Sequence, residues 1–273
     1  MLETVVVQSV NPMTLHITDV APDEMFVVKN ISGLTSTKVG LFTGDYASEG
    51  SYYQGRRGEK LNIVMTLKLN PDYANDVEVS DLRETLYRTF YEPQPGSDGV
   101  KVLLQDDRKP DRYFVGYTED IDTDQFSQSK VVNISMMSME TYLFSDVATS
   151  GADAVGWASL PVAYDGSAKV GVEANFKINT ATSVFTFEIN GYKLILNRAF
   201  TVGQTIYINT RKGERAIRLG GIAGTDIMAA LDPPAKWVQL DRPANTLKAY
   251  GSAVGDGKAV MTSYNFRSLW WGI

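Results

Sequence analysis

Apolar and polar residues alternate at a spacing of two through much of this chain. Leu61, Ile63, Met65, Leu67 and Leu69 are separated by Asn62, Val64, Thr66 and Lys68. Successive side chains of a strand point to opposite faces, so this run predicts a strand with one buried face. Val102 to Leu104, Tyr113 to Tyr117 and Val131 to Met139 predict further strands. One stretch has a different period. Leu82, Leu86 and Phe90 recur every fourth residue, which predicts a helix over about Asp81 to Tyr91 with one apolar face. Ser80 is the expected N-cap, because its hydroxyl can accept from an orphan backbone N–H. Asp81 and Glu84 sit near the positive end of the helix dipole, and Pro93 and Pro95 end the element.

After Phe144 the periodicity stops. Ser145 to Ala154 is small and polar, and it reads as a linker or long loop. The organisation expected is a first domain over 1–145, a linker over 146–154 and a second domain over 155–273. The second half is almost all strand. Phe185, Phe187 and Ile189 alternate up to Asn190–Gly191, and Tyr192, Leu194 and Leu196 alternate beyond it. Asn-Gly supplies the positive φ angles of a type I′ turn, so a two-residue hairpin is predicted. Tyr207 to Thr210 and Arg215 to Leu219 flank Lys212–Gly213 as a second hairpin. Trp237 to Leu240, Thr246 to Tyr250 and Val260 to Trp271 complete the predicted strands. Their spacing suggests a β-sandwich or a Greek-key barrel, so the fold class is mainly β.

Composition narrows the function classes. The 273 residues, 44% of them hydrophobic, suffice for one large core or two modest ones. The formal net charge is −6. A general nucleic-acid binder carries a basic excess to displace counterions from phosphate, so that class is disfavoured, as is docking on an anionic membrane. The chain has no cysteine, which excludes disulfides, thiolate metal sites and a cysteine nucleophile. Met1 to Val10 lacks a basic start and a long apolar run, so no signal peptide is expected. No segment approaches the roughly 20 apolar residues of a membrane span.

Candidate chemistry is sparse. His16 is the only histidine, so a Ser-His-Asp triad would have to use it, with Asp19 nearby. No G-x-S-x-G elbow accompanies it, and a structural role is the better reading. Asp120, Asp122 and Asp124 resemble the start of a calcium loop. Gln125 and Val131 stand where an EF-hand needs its Gly and Glu, so a solvated turn is favoured. Trp157, Trp237, Trp270 and Trp271 offer aromatic surface for a sugar, but burial in a core or interface is the more frequent fate of Trp. Gly203, Gly213, Gly220, Gly221 and Gly224 read as turn glycines, with no helix after them to complete a phosphate-binding fingerprint. No cofactor, metal or catalytic set is expected, and the chain reads as a non-enzyme.

The order of elements resembles the distal tail proteins of siphophages. The segments that carry this are GDYASEGSYYQGRRG feeding LNIVMTLKL, the helix SDLRETLYRTF, the strands RYFVGYTEDID and VVNISMMSMETYLFSD, and, in the second half, VFTFEINGYKLILN, GQTIYINTRKGERAIRL and NTLKAY. The resemblance implies an N-terminal domain of strands and one helix that forms a hexameric ring, with a galectin-like β-sandwich outside it. It implies a virion protein of the tail tip or baseplate, made in the bacterial host cytoplasm. Its partners would be five further copies, the tail tube protein and the tail hub or tail-associated protein, with no membrane. DNA would pass through the ring without specific binding. The alternatives are a tail tube subunit and a carbohydrate-binding tail module. The chain looks too short for an inserted sugar-binding module, so host-sugar binding is not implied.

A ring needs heterologous side-to-side contacts whose rotation closes on itself. The loop Gly44 to Gly58 is the expected subunit contact, because Tyr46, Tyr52, Tyr53, Arg56 and Arg57 are residue types enriched at interface cores. Asp106, Asp107 and Asp111 lie in a mixed-charge loop. If they face a channel, they repel DNA and let it slide.

Overall fold

The computed structural model describes residues 2–17, 24–34, 39–45, 51–122, 130–151 and 159–272; over 39–45 and 51–58 it describes the backbone. The chain divides into two compact units. Unit 1 comprises Met1–Asp146 with Trp270–Ile273, and unit 2 comprises Val147–Leu269.

Unit 1 holds β1 (Leu2–Gln8), β2 (Met13–His16), β3 (Phe26–Ser32), β4 (Val39–Asp45), β5 (Ser51–Gly58), β6 (Leu61–Leu69), helix α1 (Val79–Tyr91), β7 (Val100–Asp106), β8 (Arg112–Asp122), β9 (Val131–Ser138) and β10 (Leu143–Ser145). The pairing runs β7-β1-β2-β3-β6-β9, and β8 pairs with both β7 and β9. Seven strands therefore close into a barrel. β8 closes it by dividing its length. Val100 to Leu104 pair with its first half, and Met137 to Asn133 pair with Tyr117 to Asp122. β2 and β3 are parallel and meet at one register pair, His16 opposite Val27.

Strand alternation fills the barrel. Leu61, Ile63, Met65, Leu67 and Leu69 are buried and face Val132, Ile134 and Met136 of the next strand's inner row. The helix adds Leu82, Leu86 and Phe90 to the same core. It begins two residues earlier than the sequence suggests. Glu78 is the N-cap, and Asp81 at the third helical position accepts the Glu78 N–H at 2.9 Å. Ser80 therefore lies inside the first turn, and the acidic side chain holds the helix start.

Unit 2 holds β11 (Thr149–Gly151), β12 (Leu160–Ala163), β13 (Glu173–Ile178), β14 (Thr182–Ile189), β15 (Tyr192–Phe200), β16 (Thr205–Asn209), β17 (Ala216–Leu219), β18 (Thr225–Asp226), β19 (Ala244–Tyr250) and β20 (Ala259–Phe266). They form a six-stranded sheet, β11-β20-β13-β16-β17-β18, and a four-stranded sheet, β12-β19-β14-β15. The inner rows pack into one apolar cluster, with Phe176 5.0 Å from Phe185 and 4.9 Å from Phe187 between ring centroids. This is a β-sandwich. The β14–β15 turn has Asn190 at φ 52° and Gly191 at φ 84°, the type I′ geometry that Asn-Gly predicts.

Two predicted strands differ from the structure. Trp237 to Leu240 makes one isolated bridge, Val170 to Leu240, and no ladder. Val238 and Leu240 are buried, so the alternation there records one buried face only. Val260 to Trp271 is broken after Phe266, and the chain leaves unit 2 at β21 (Leu269–Trp270), where Trp270 joins unit 1 beside β10. Thr149–Gly151, inside the small polar stretch, is a strand paired with β20.

Candidate assembly surfaces

The seven barrel strands close on themselves, and β4 and β5 lie outside that ring of pairings. They pair only with each other among the described residues, from Val39 opposite Gly58 to Asp45 opposite Ser51. The stretch Gly44 to Gly58 is thus not the loop that its composition suggests; from Ser51 onward it is strand. Tyr52, Tyr53, Arg56 and Arg57 stand opposite Gly44, Thr43, Leu41 and Gly40. Tyr46 lies outside the described residues. Seven or eight residues at about 3.3 Å each make an arm of roughly 25 Å. A lone two-stranded hairpin is marginally stable in water, so such an arm gains from a neighbour.

The arm leaves the barrel between β3 and β6, and Gly33 fixes where. Its φ is +88°, and a Cβ there would sit 2.0 Å from the Asn62 carbonyl oxygen. Only glycine fits both conditions.

The β7–β8 turn carries the acidic residues. The Asp106 carboxylate accepts the Arg108 backbone N–H at 2.9 Å, which holds its pKa down to about 2. Asp107 lies 3.4 Å from the Arg108 side chain, and Asp111 accepts from Gln105 at 3.2 Å.

Among the described residues the remaining candidates are not brought together at one site. His16 Nε2 lies 3.2 Å from Glu24 at the parallel β2–β3 contact, and Asp19 is outside the described residues. Asp120 and Asp122 end β8, while Asp124 and Gln125 are outside the described residues. Among the described residues no group of three or more His, Asp or Glu side chains is placed to hold a metal ion, and no helix is long and apolar enough to cross a membrane. Trp237 packs against the sandwich core under Arg215, Trp271 meets Tyr142 edge-on, and Trp157 is outside the described residues. Gly203, Gly213, Gly220 and Gly221 have φ between 86° and 95°. Gly224 instead lies against Leu219, where a Cβ would come within 2.0 Å of a carbonyl oxygen.

Several polar groups have no local sequence signal. Buried Arg112 stacks over Trp270 at 4.5 Å and donates to the Gly272 carbonyl, pinning the C-terminus to unit 1. In unit 2, Glu188 accepts from Tyr250 at 2.7 Å and Lys248 at 3.3 Å. Burial works against its ionisation, but these donors and the charges of Lys248 and Lys193 outweigh it and leave the carboxyl below its ordinary value. On the outer row of the six-stranded sheet, Glu173 accepts from Tyr207 at 2.9 Å and faces Arg211, which also donates to Asn265. These pairings join strands far apart in sequence, so no spacing rule reveals them.

Comparison with known proteins fits this architecture. The curated proteins include no match. The chain aligns with the crystal structure of the SPP1 Dit (gp 19.1) protein, described as a paradigm of hub adsorption apparatus in Gram-positive infecting phages. The identity is 16% and the TM-score 0.60, over 96% of this chain and 98% of that one. A chain of the phage P2 baseplate, in its activated conformation with Ca, aligns over 98% of both chains at 9% identity and a TM-score of 0.42. Residues 165–271 match the family model SPP1_Dit, the siphovirus-type tail component, C-terminal domain. Residues 165–271, most of unit 2, are thus similar to the C-terminal domain of the siphovirus-type tail components.

Proposed function

We propose that this chain is a ring subunit of the tail tip, six copies of which join the tail tube to the hub and surround the DNA channel. The family match over residues 165–271 carries the reading. The β4–β5 arm supports it physically, because among the described residues these two strands pair only with each other and have backbone to offer a neighbour. In this reading Tyr46, Tyr52, Tyr53, Arg56 and Arg57 make the subunit contact, each arm laid on the next copy round the ring. Asp106, Asp107 and Asp111 face the lumen and repel the DNA backbone. The role is architectural and not enzymatic, and the protein acts in the virion after synthesis in the host cytoplasm.

Native mass spectrometry and negative-stain imaging of the purified protein, alone and with the hub protein, test this. A closed six-fold ring is the expected result. A strict monomer in both samples sinks the reading, and long stacked tubes point to a tail tube subunit instead. Tyr52→Ala with Arg56→Ala is expected to abolish the ring while leaving the monomer's far-UV spectrum unchanged.

A further inference from the structure

Asn190–Gly191 is the one Asn-Gly step in the chain. It forms the exposed β14–β15 turn, with Asn190 at φ 52° and Gly191 at φ 84°. Such a step carries latent chemistry. The backbone nitrogen of Gly191 can attack the side-chain carbonyl carbon of Asn190, because glycine puts no side chain in the way. The Gly191 amide proton passes to water, the new N–Cγ bond closes a five-membered imide, and the Cγ–Nδ2 bond breaks to release ammonia. Water then opens the imide at either carbonyl. One product is aspartate. The other is isoaspartate, in which the main chain runs through the former side chain and is one carbon longer.

The fold holds the reacting amide by both of its polar atoms. Asn190 Oδ1 accepts the Thr246 backbone N–H at 2.8 Å, and Nδ2 donates to Asn245 Oδ1 at 2.9 Å. Asn245 is itself fixed. It is 2% exposed, its Oδ1 accepts the Asp241 N–H and its Nδ2 donates to the Asp241 carbonyl, each at 2.8 Å. A further bond runs from Nδ2 to the Val162 carbonyl at 3.4 Å. Turning the Asn245 amide over would break its bonds to Asp241. Position 190 must therefore accept with one atom and donate with the other, which an amide does and an ionised carboxylate cannot. An aspartate here sets a carboxylate oxygen against the Asn245 carbonyl oxygen, two acceptors with no proton between them.

We propose that Asn190 is a self-modification site of unit 2, held off by its clamp on β19, and that deamidation releases the β14–β15 turn from that strand. Attack turns the planar Cγ tetrahedral and draws it to the Gly191 nitrogen, so the bonds that hold Oδ1 and Nδ2 must give way. The reaction therefore runs from the opened turn, and its rate reports how often that turn opens. The isoaspartate product also adds a main-chain atom to a two-residue turn whose register is set, with Ile189 opposite Tyr192.

The test keeps the purified chain and a synthetic peptide of residues 186–195 in the same mildly alkaline buffer. Isoaspartate at position 190 is counted by peptide mapping and by enzymatic methylation. The peptide is expected to convert, and the chain unfolded in urea should match it. The folded chain should convert about tenfold more slowly or less. Asn190→Asp, a change at an exposed turn, tests the consequence. Unit 2 should melt about 3–6 °C lower, with faster amide exchange at residues 189–192 and 245–247. A folded rate at or above that of the peptide overturns the proposal, since the Thr246 N–H would then be promoting attack on the amide it holds. So does an Asn190→Asp chain that melts and exchanges like the unmodified one.

Discussion

Replacing Gly33 by alanine tests whether the exit of the β4–β5 arm is fixed by close approach of two backbones. Two costs add at this position. The first is conformational: at φ +88° an alanine is strained by about 1 kcal/mol. The second is contact. The new Cβ would stand 2.0 Å from the Asn62 oxygen and 2.9 Å from the Asn62 carbonyl carbon, and both neighbours are main chain, so no rotamer relieves it. Relief requires opening the end of the β3–β6 ladder at Ser32 and Val64, losing one or two backbone bonds worth about 1 kcal/mol each. The expected total is about 3 kcal/mol. Gly96→Ala is the control. Its φ is +84° but nothing lies within 4 Å of the added Cβ, so it should cost only the conformational share, about 1 kcal/mol. Urea unfolding gives the two free energies, and hydrogen exchange of β3 and β6 peptides locates the loss. Equal costs for the two variants, or exchange unchanged in β3, would refute the close-approach argument.

Three other outcomes follow from unit cores and buried polar groups. Glu188 has a lowered folded pKa, so its contribution to stability is full above the unfolded carboxyl value, roughly 4.3, and is lost as pH falls through the folded one. Glu188→Gln should therefore flatten the acid limb of unit 2 stability in urea melts between pH 7 and pH 3; an unchanged slope contradicts the assignment. Asp256→Ala removes the acceptor of four backbone N–H groups and should cost about 2 kcal/mol, with fast amide exchange confined to 251–258. Trp270→Ala empties a buried site in unit 1 and uncovers Arg112, and should lower unit 1 stability by about 3–5 kcal/mol while the unit 2 transition stays in place.

The fold was legible where one residue sees one face. The run Leu61 to Leu69 and the pair Phe185–Ile189 and Tyr192–Leu196 announce strands because each has a dry side and a wet side, and Asn190–Gly191 announces its turn because the backbone there needs positive φ. The same signal misleads at Trp237 to Leu240. Val238 and Leu240 are buried alternately, yet Pro233 and Pro234 precede this stretch and Pro243 follows it, and it makes a single bridge. Alternation reports burial, and a ladder additionally needs a partner strand with donors in register. Closure of the barrel is illegible for a related reason. β8 divides between β7 and β9 by pairings that depend on where the chain returns, and no local pattern encodes that.

The assembly surfaces show the limit from the other direction. Gly44 to Gly58 reads as a loop because it has no apolar period, yet its backbone from Ser51 onward pairs with β4. Its Tyr and Arg content is the signal on which the proposed contact rests, since those residue types are enriched at interfaces. One end of unit 2 gave no signal at all. Val202, Ile222 and Val254 are at least 20 residues apart in sequence, each among small neighbours, and each is unremarkable alone. Only the strand registers bring them to one end, and only the bonds from Gly203, Asn179 and Gly220 make that end one framework. A surface assembled from turns is a property of topology, so its residues become neighbours only once the pairing of the sheets is known.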